Sequence, residues 1–216
     1  MDLILRSPGD DLLELASGTE ESVVLVAPFV KHGALKRIVY QIPIGVPVVL
    51  YTRWRIGEVL LGVSDISVWE ILRDRRHSEL RLCGELHAKC FVFDQMAVVG
   101  SANLTSKALG WSAVSNLELQ IFAKLPDARV EGLLAALASH STVVDEAYFD
   151  RFAQLVAQAD PPPTVPEISD PGITSSNGVW IPQTRNPSAL FSLYSGEQEA
   201  LSRSALLAAG DDLQRL

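Results

Sequence analysis

With 216 residues, of which 48% are hydrophobic and 20% charged, the chain can bury a core as one large domain and is too apolar for a disordered or fibrous polypeptide. A formal net charge of −8 argues against unselective binding to a polyanion. The two cysteines, Cys83 and Cys90, form no CxxC pair, which excludes a disulfide framework and multi-thiolate zinc sites and suits a reducing, cytoplasmic setting.

The first residues, MDLILRSPGDD, lack the basic and apolar regions of a secretion signal. Asp10 to Ser17 has helical spacing with an acidic start, and Ser22 to Phe29 reads as a buried strand that ends at Pro28. That apolar run is far shorter than the about 20 residues of a membrane helix, so no membrane association is expected. Gly33 to Gln41 is predicted helical, Pro47 to Thr52 a second apolar strand, Asp65 to Arg73 a helix with Ser64 as its cap, and Glu79 to Leu82 a short strand. This βαβαβ alternation, with strands as apolar as VVLV and VVLY, predicts an α/β class: a mixed, mostly parallel sheet with helices on both faces.

His87 to Phe93 and Met96 to Val99 read as a hairpin turning at Asp94-Gln95. Asn103 to Leu109 is predicted as a short helix, Ser115 to Ala123 as a strand, and Asp127 to Ser139 and Asp145 to Gln158 as helices covering the sheet. The proline-rich run from Asp160 to Pro166 stops regular structure. It sets a main domain over 1–159, a linker over 160–171 and a tail over 172–216, with a terminal helix expected from Gln198 to Ala209.

The charge is unevenly spread. Residues 1–30 carry −5, residues 31–107 carry +4 and residues 108–216 carry −7, so an anion belongs in the middle of the chain. A solvated helix end bearing Arg73, Arg75 and Arg76 explains the same surplus without a ligand. In that segment His87 and Lys89, two apart on the predicted strand, project to one face. The imidazole can serve as nucleophile or proton shuttle near neutral pH, while the ammonium holds an anionic oxygen. Gly100 permits close backbone approach, and Ser101 and Asn103 offer neutral hydrogen bonds for phosphate oxygens.

His87-Ala-Lys89, four residues, Asp94, then Gly100-Ser101-Ala102-Asn103 resembles the HxK(x4)D…GSxN signature of the phospholipase D superfamily. The resemblance covers roughly residues 20–125, including Ala27-Pro28-Phe29 and Asn116-Leu117-Glu118. It implies a phospholipase D-like fold and phosphodiester chemistry without a metal or other cofactor. By the same resemblance His87 forms a phosphohistidine, Lys89 and Asn103 bind the phosphate, Ser101 assists, and Glu118 bonds the far nitrogen of the histidine ring. Such a carboxylate would fix the tautomer and raise nucleophilicity; an exposed strand residue is the plainer reading of Glu118. Asp94 has the opposite parity and is explained by a turn position without catalysis.

The superfamily needs two such histidines, one to attack phosphorus and one to protonate the leaving oxygen, as general acid-base logic also demands. His32, His77 and His140 have no lysine two residues on, so the chain holds one motif, and a twofold homodimer sharing one site is expected. Arg53 and Arg55 flank Trp54 just past a strand end, where ligand loops gather. They suit a nucleic-acid backbone with Trp54 stacked on a base; a core tryptophan between surface arginines is the competing reading. Trp111 and Lys107, after the GSAN segment, are further substrate-binding candidates. The leading expectation is a metal-independent nuclease, most simply a DNA endonuclease. A phospholipid phosphodiesterase or transphosphatidylase and a non-catalytic regulatory dimerisation module are the alternatives.

Overall fold

The order of apolar strands along the chain becomes a single sheet in the computed structural model. It describes residues 7–160 and the backbone of residues 180–183 and 212–215. Two compact units, Met1–Pro163 and Thr164–Leu216, divide the chain. In the first, α1 (Pro8–Ser17) starts where Ser7 Oγ accepts from the Asp10 amide at 3.2 Å, with Pro8 in the first turn. Then follow β1 (Val23–Val26), α2 (His32–Val39), β2 (Val48–Thr52), α3 (Ile56–Leu60), α4 (Val68–Arg73) and β3 (Glu79–Leu82). The hairpin β4 (Cys90–Phe93) and β5 (Met96–Gly100), then β6 (Gln120–Lys124), α5 (Ala128–His140), β7 (Thr142–Val143) and α6 (Glu146–Gln158) complete it. Among the described residues of the second unit, β8 (Trp180–Gln183) pairs antiparallel with β9 (Asp212–Arg215). The helix expected from Gln198 to Ala209 lies outside the described residues.

The sheet order is β6-β5-β4-β1-β2-β3-β7. Only β1 with β2 and β2 with β3 pair in parallel; the four other pairings are antiparallel. The parallel share is therefore smaller than the alternation of elements suggests, because the hairpin and its neighbour β6 extend the sheet on one side and β7 on the other. Helices do cover both faces. Val23, Leu25, Leu50, Leu80, Phe91 and Val98 pack with residues of α1, α2, α4 and α6, while Val26, Tyr51, Cys90, Val92 and Ala97 pack with Val130 and Leu137 of α5. Uniformly apolar strands are what burial on two faces requires.

Local differences from the predicted elements have physical causes. Residues 87–89 precede β4 rather than lying in it. The expected helix at Asn103 to Leu109 is a series of turns, because Leu104 is drawn into backbone bonds with Phe29 and Lys31 at the exit of β1. The predicted strand at Ser115 begins only at Gln120, where β5 offers a partner. Ser64 does not cap α4; it is buried, and the neighbouring Asp65 instead binds the Lys31 ammonium at 2.5 Å and the His32 amide at 2.8 Å. The short helix α3 and strand β7 were not anticipated.

Candidate active site

One edge of the sheet gathers the ends of β1, β2 and β5 and the starts of β4 and β6. His87 to Lys89 runs into β4 there, and the ladder extends one step beyond the strand, with the Gly100 amide donating to the Lys89 carbonyl at 3.3 Å. His87 is exposed and Lys89 partly buried. Lys89 Nζ donates to the His87 carbonyl at 2.9 Å and stands 3.5 Å from His87 Nε2. The backbone of the pair thus holds the ammonium beside the imidazole. Among the described residues no carboxylate forms an ion pair with Lys89. Partial burial, then the nearby Arg53 charge, lowers its pKa from the ordinary lysine value, and Glu118 opposes that shift. A cation held so has most to gain from a bound anion.

The other signature residues arrive from β5 and its exit. Gly100 is required sterically: a Cβ there would lie 2.2 Å from the Leu119 carbonyl oxygen. Asn103 sits between the end of β5 and the exit of β1, fixed by the bonds of Leu104 to Phe29 and Lys31. Its Oδ1 is buried with no hydrogen-bond partner, an arrangement costly for a purely structural amide. Ser101 Oγ donates to Glu118 Oε2 and accepts from the Leu119 amide at 3.1 Å. Glu118 Oε1 accepts from Asn116 Nδ2 at 3.0 Å. Both carboxylate oxygens are so occupied, and no hydrogen bond joins Glu118 to the His87 ring. The resemblance assigned that bond to Glu118; here Ser101 and Asn116 take its oxygens, and its influence on the site is through Lys89.

Asp94 lies at the opposite edge, four strand residues beyond Lys89. In the left-handed region at φ 49°, its carboxylate accepts from the backbone amides of Glu20, Glu21 and Ser22 at 2.8 to 2.9 Å. Partial burial pushes its pKa upward, yet the three amide donors prevail and hold it below the usual carboxylate value.

The flanking candidates separate. Trp54 is 9% exposed and packs on Phe149 and Phe152 of α6, with ring centroids 6.4 and 5.2 Å away, so it offers no ring face to a base and belongs to the core. Arg53 is committed as well: it donates to Glu58 Oε1 and Oε2 at 2.6 and 3.2 Å and to the Leu86 carbonyl at 3.0 Å, above the Phe29 ring. Its side chain is only 11% exposed, so it holds the backbone leading into His87 rather than a nucleic-acid strand. Trp111 lies against Gly9 of α1, under the Arg37 guanidinium at 4.2 Å from its ring, and packs against the core; it does not cover the site mouth. Arg55 is half exposed, bonded to the Gly84 carbonyl at 3.0 Å. Lys107 is exposed, and its carbonyl accepts from the Asn116 amide at 3.0 Å, which ties its loop to the Glu118 network.

Sequence reasoning overlooked Asn116 as a partner of Glu118, Arg53 as a support of His87, and Gln120. The last had a signal. In Asn116-Leu117-Glu118-Leu119-Gln120-Ile121 polar and apolar residues alternate, the period of an extended strand with two unlike faces.

The sequence matches no protein-family model and no curated protein. Solved structures do resemble it. NucT from Helicobacter pylori aligns over 62% of this chain and 89% of its own, at 14% identity and a TM-score of 0.51. Phosphatidylserine synthase from Haemophilus influenzae aligns over 71% of this chain and 42% of its own, at 14% identity and a TM-score of 0.55. Nuc from Salmonella typhimurium, a phospholipase D family member, covers 63% of this chain and 90% of its own, at 18% identity and a TM-score of 0.49. At such identities the likeness is one of architecture: the chain has a phospholipase D-like fold, a mixed sheet between helices.

Proposed function

We propose that the protein is a phosphodiesterase that acts on nucleic acid, most simply DNA, through a phosphohistidine at His87. The observation that carries this reading is the exposed His87 with the Lys89 ammonium 3.5 Å from its Nε2 and, among the described residues, no carboxylate in an ion pair with that ammonium. In the proposed reaction Lys89 and Asn103 hold the non-bridging oxygens, and His87 attacks phosphorus. A nitrogen–phosphorus bond forms while the phosphorus–oxygen bond to the leaving group breaks. That oxygen takes a proton from a second imidazolium, and water then releases the phosphoryl group with the proton traffic reversed. No step requires a divalent ion.

The second imidazole is that of another copy of the chain, brought in by a twofold axis. An exposed apolar row leading into β6 supports this. Glu118 and Gln120 are partly buried, whereas Leu117, Leu119 and Ile121, on the alternate positions, are 98%, 68% and 63% exposed. Such an apolar row beside the site calls for cover, and two copies of it are self-complementary. Arg55 and Lys107, at the margins, suit phosphates on either side of the cleaved one, in keeping with the positive middle segment.

The same exposed row favours a second reading, in which acyl chains lie on it and the substrate is a phospholipid. One experiment separates the two: wild-type protein and His87→Ala are incubated in excess EDTA with plasmid DNA and, separately, with mixed phosphatidylglycerol and phosphatidylcholine vesicles. Cleavage of DNA by wild type alone supports the nuclease. Release of headgroup with intact DNA transfers the mechanism to lipid, and inertness toward both leaves a regulatory dimer. Mixing wild type with excess His87→Ala should lower activity per wild-type subunit in proportion to its dilution; unchanged specific activity would remove the shared site.

A further inference from the structure

Gln120 is the first residue of β6 and pairs with Gly100, which pairs in turn with Lys89. Residues directly opposite on antiparallel strands share a face, so Lys89, Gly100 and Gln120 form one row across three strands. The neighbouring row bears this out: Cys90, Val99 and Ile121 together line a cavity on the α5 face. Glycine in the middle of the first row leaves no side chain between the ammonium and the amide. The Gln120 amide is buried at both Nε2 and Oε1, and neither atom has a hydrogen-bond partner. Two orphaned atoms of one amide, in a strand that any β-branched residue would suit better, mark a group whose partner arrives with a ligand.

We propose that Gln120 is an additional substrate-binding residue of this site, its Nε2 donating to a phosphoryl oxygen held by Lys89. The inference rests on the phosphodiesterase reading and adds to it a neutral donor outside the HxK and GSxN residues. A neutral amide there strengthens anion binding without lowering the Lys89 pKa further, as a second cation would.

Inorganic tungstate, a tetrahedral dianion, is the probe, titrated calorimetrically into wild type, Gln120→Met and Gln120→Glu, with EDTA-resistant hydrolysis of bis(4-nitrophenyl) phosphate measured in parallel. Gln120→Met should weaken tungstate binding and kcat/KM by roughly tenfold to a hundredfold, the range for a hydrogen bond to a charged group. Its melting temperature should hold or rise, because the amide has no protein partner to lose. Gln120→Glu should bind tungstate more weakly still. Wild-type affinity and turnover in Gln120→Met would overturn the assignment, as would a loss of melting temperature that alone accounts for the lost activity. A wild type that neither binds tungstate nor hydrolyses the ester would remove the phosphodiesterase reading, and this assignment with it.

Discussion

The motif from His87 to Asp94 crosses the sheet, and its two ends are treated in opposite ways. At the turn, Asp94 is saturated: three backbone amides converge on its carboxylate and join β4 to the segment before β1. At the other edge, no carboxylate among the described residues forms an ion pair with Lys89, and Asn103 Oδ1 and both atoms of the Gln120 amide are buried and unpaired. Saturated polar groups hold architecture together; unsatisfied ones at a strand end are the groups that ligand binding can complete. One short sequence signature thus combines a fastened end and an end left unsatisfied, and residue type alone does not tell them apart.

The sharpest way to break this comparison is Lys89→Ala. It should lower phosphodiester cleavage by about a hundredfold to a thousandfold, as loss of one donor to developing charge does, without a change in melting temperature; parallel losses of both would make Lys89 structural. Trp54→Ala should do the reverse. Although Trp54 follows Arg53 at the edge where His87 and Lys89 lie, its burial against Phe149 and Phe152 makes it core, so urea unfolding should show about 3–5 kcal/mol lost, with wild-type kcat in the molecules that remain folded.

Asp94→Ala should cost about 1–2 kcal/mol, the loss of a backbone-capping carboxylate, with cleavage per folded molecule retained. Because the folded pKa of Asp94 lies below the unfolded 3.8, its ionic contribution is present above that value and is lost as pH falls through the lower folded one. Acid unfolding of Asp94→Asn should accordingly depend less steeply on pH below 3.8. The smallest effect concerns Lys89 itself. With its pKa held below the ordinary 10.5 by burial and Arg53, tungstate affinity should begin to fall at a pH lower than an exposed lysine would give. Lys89→Arg should move that limb upward, and a limb unchanged by the substitution would assign it to another group.

Much of this was legible because it rests on local patterns. VVLV and VVLY announce buried strands whatever surrounds them, and the HxK and GSxN spacing places His87, Lys89, Ser101 and Asn103 at one sheet edge once β4 and β5 pair. What escaped depends on partners distant in sequence. Trp54 is core because α6, almost a hundred residues later, delivers Phe149 and Phe152; without that helix an exposed indole between two arginines reads equally well. Arg53 looks like a free cation until Glu58 and the Leu86 carbonyl take it. Asn103 to Leu109 has helical spacing, but Leu104 is pulled into contact with the β1 exit, and tertiary bonding overrides propensity. Gln120 belonged to a visible alternation, yet its inward face runs opposite to the usual rule, with the leucines outside.

The most direct test of the central claim is a rapid quench in denaturant of wild-type protein with a radiolabelled oligonucleotide in EDTA, followed by peptide mapping. Attack by the imidazole predicts an acid-labile, base-stable protein–nucleotide adduct on the peptide that contains His87, absent from His87→Ala. Turnover at wild-type rate with the label on any other residue, or persisting in His87→Ala, would contradict it.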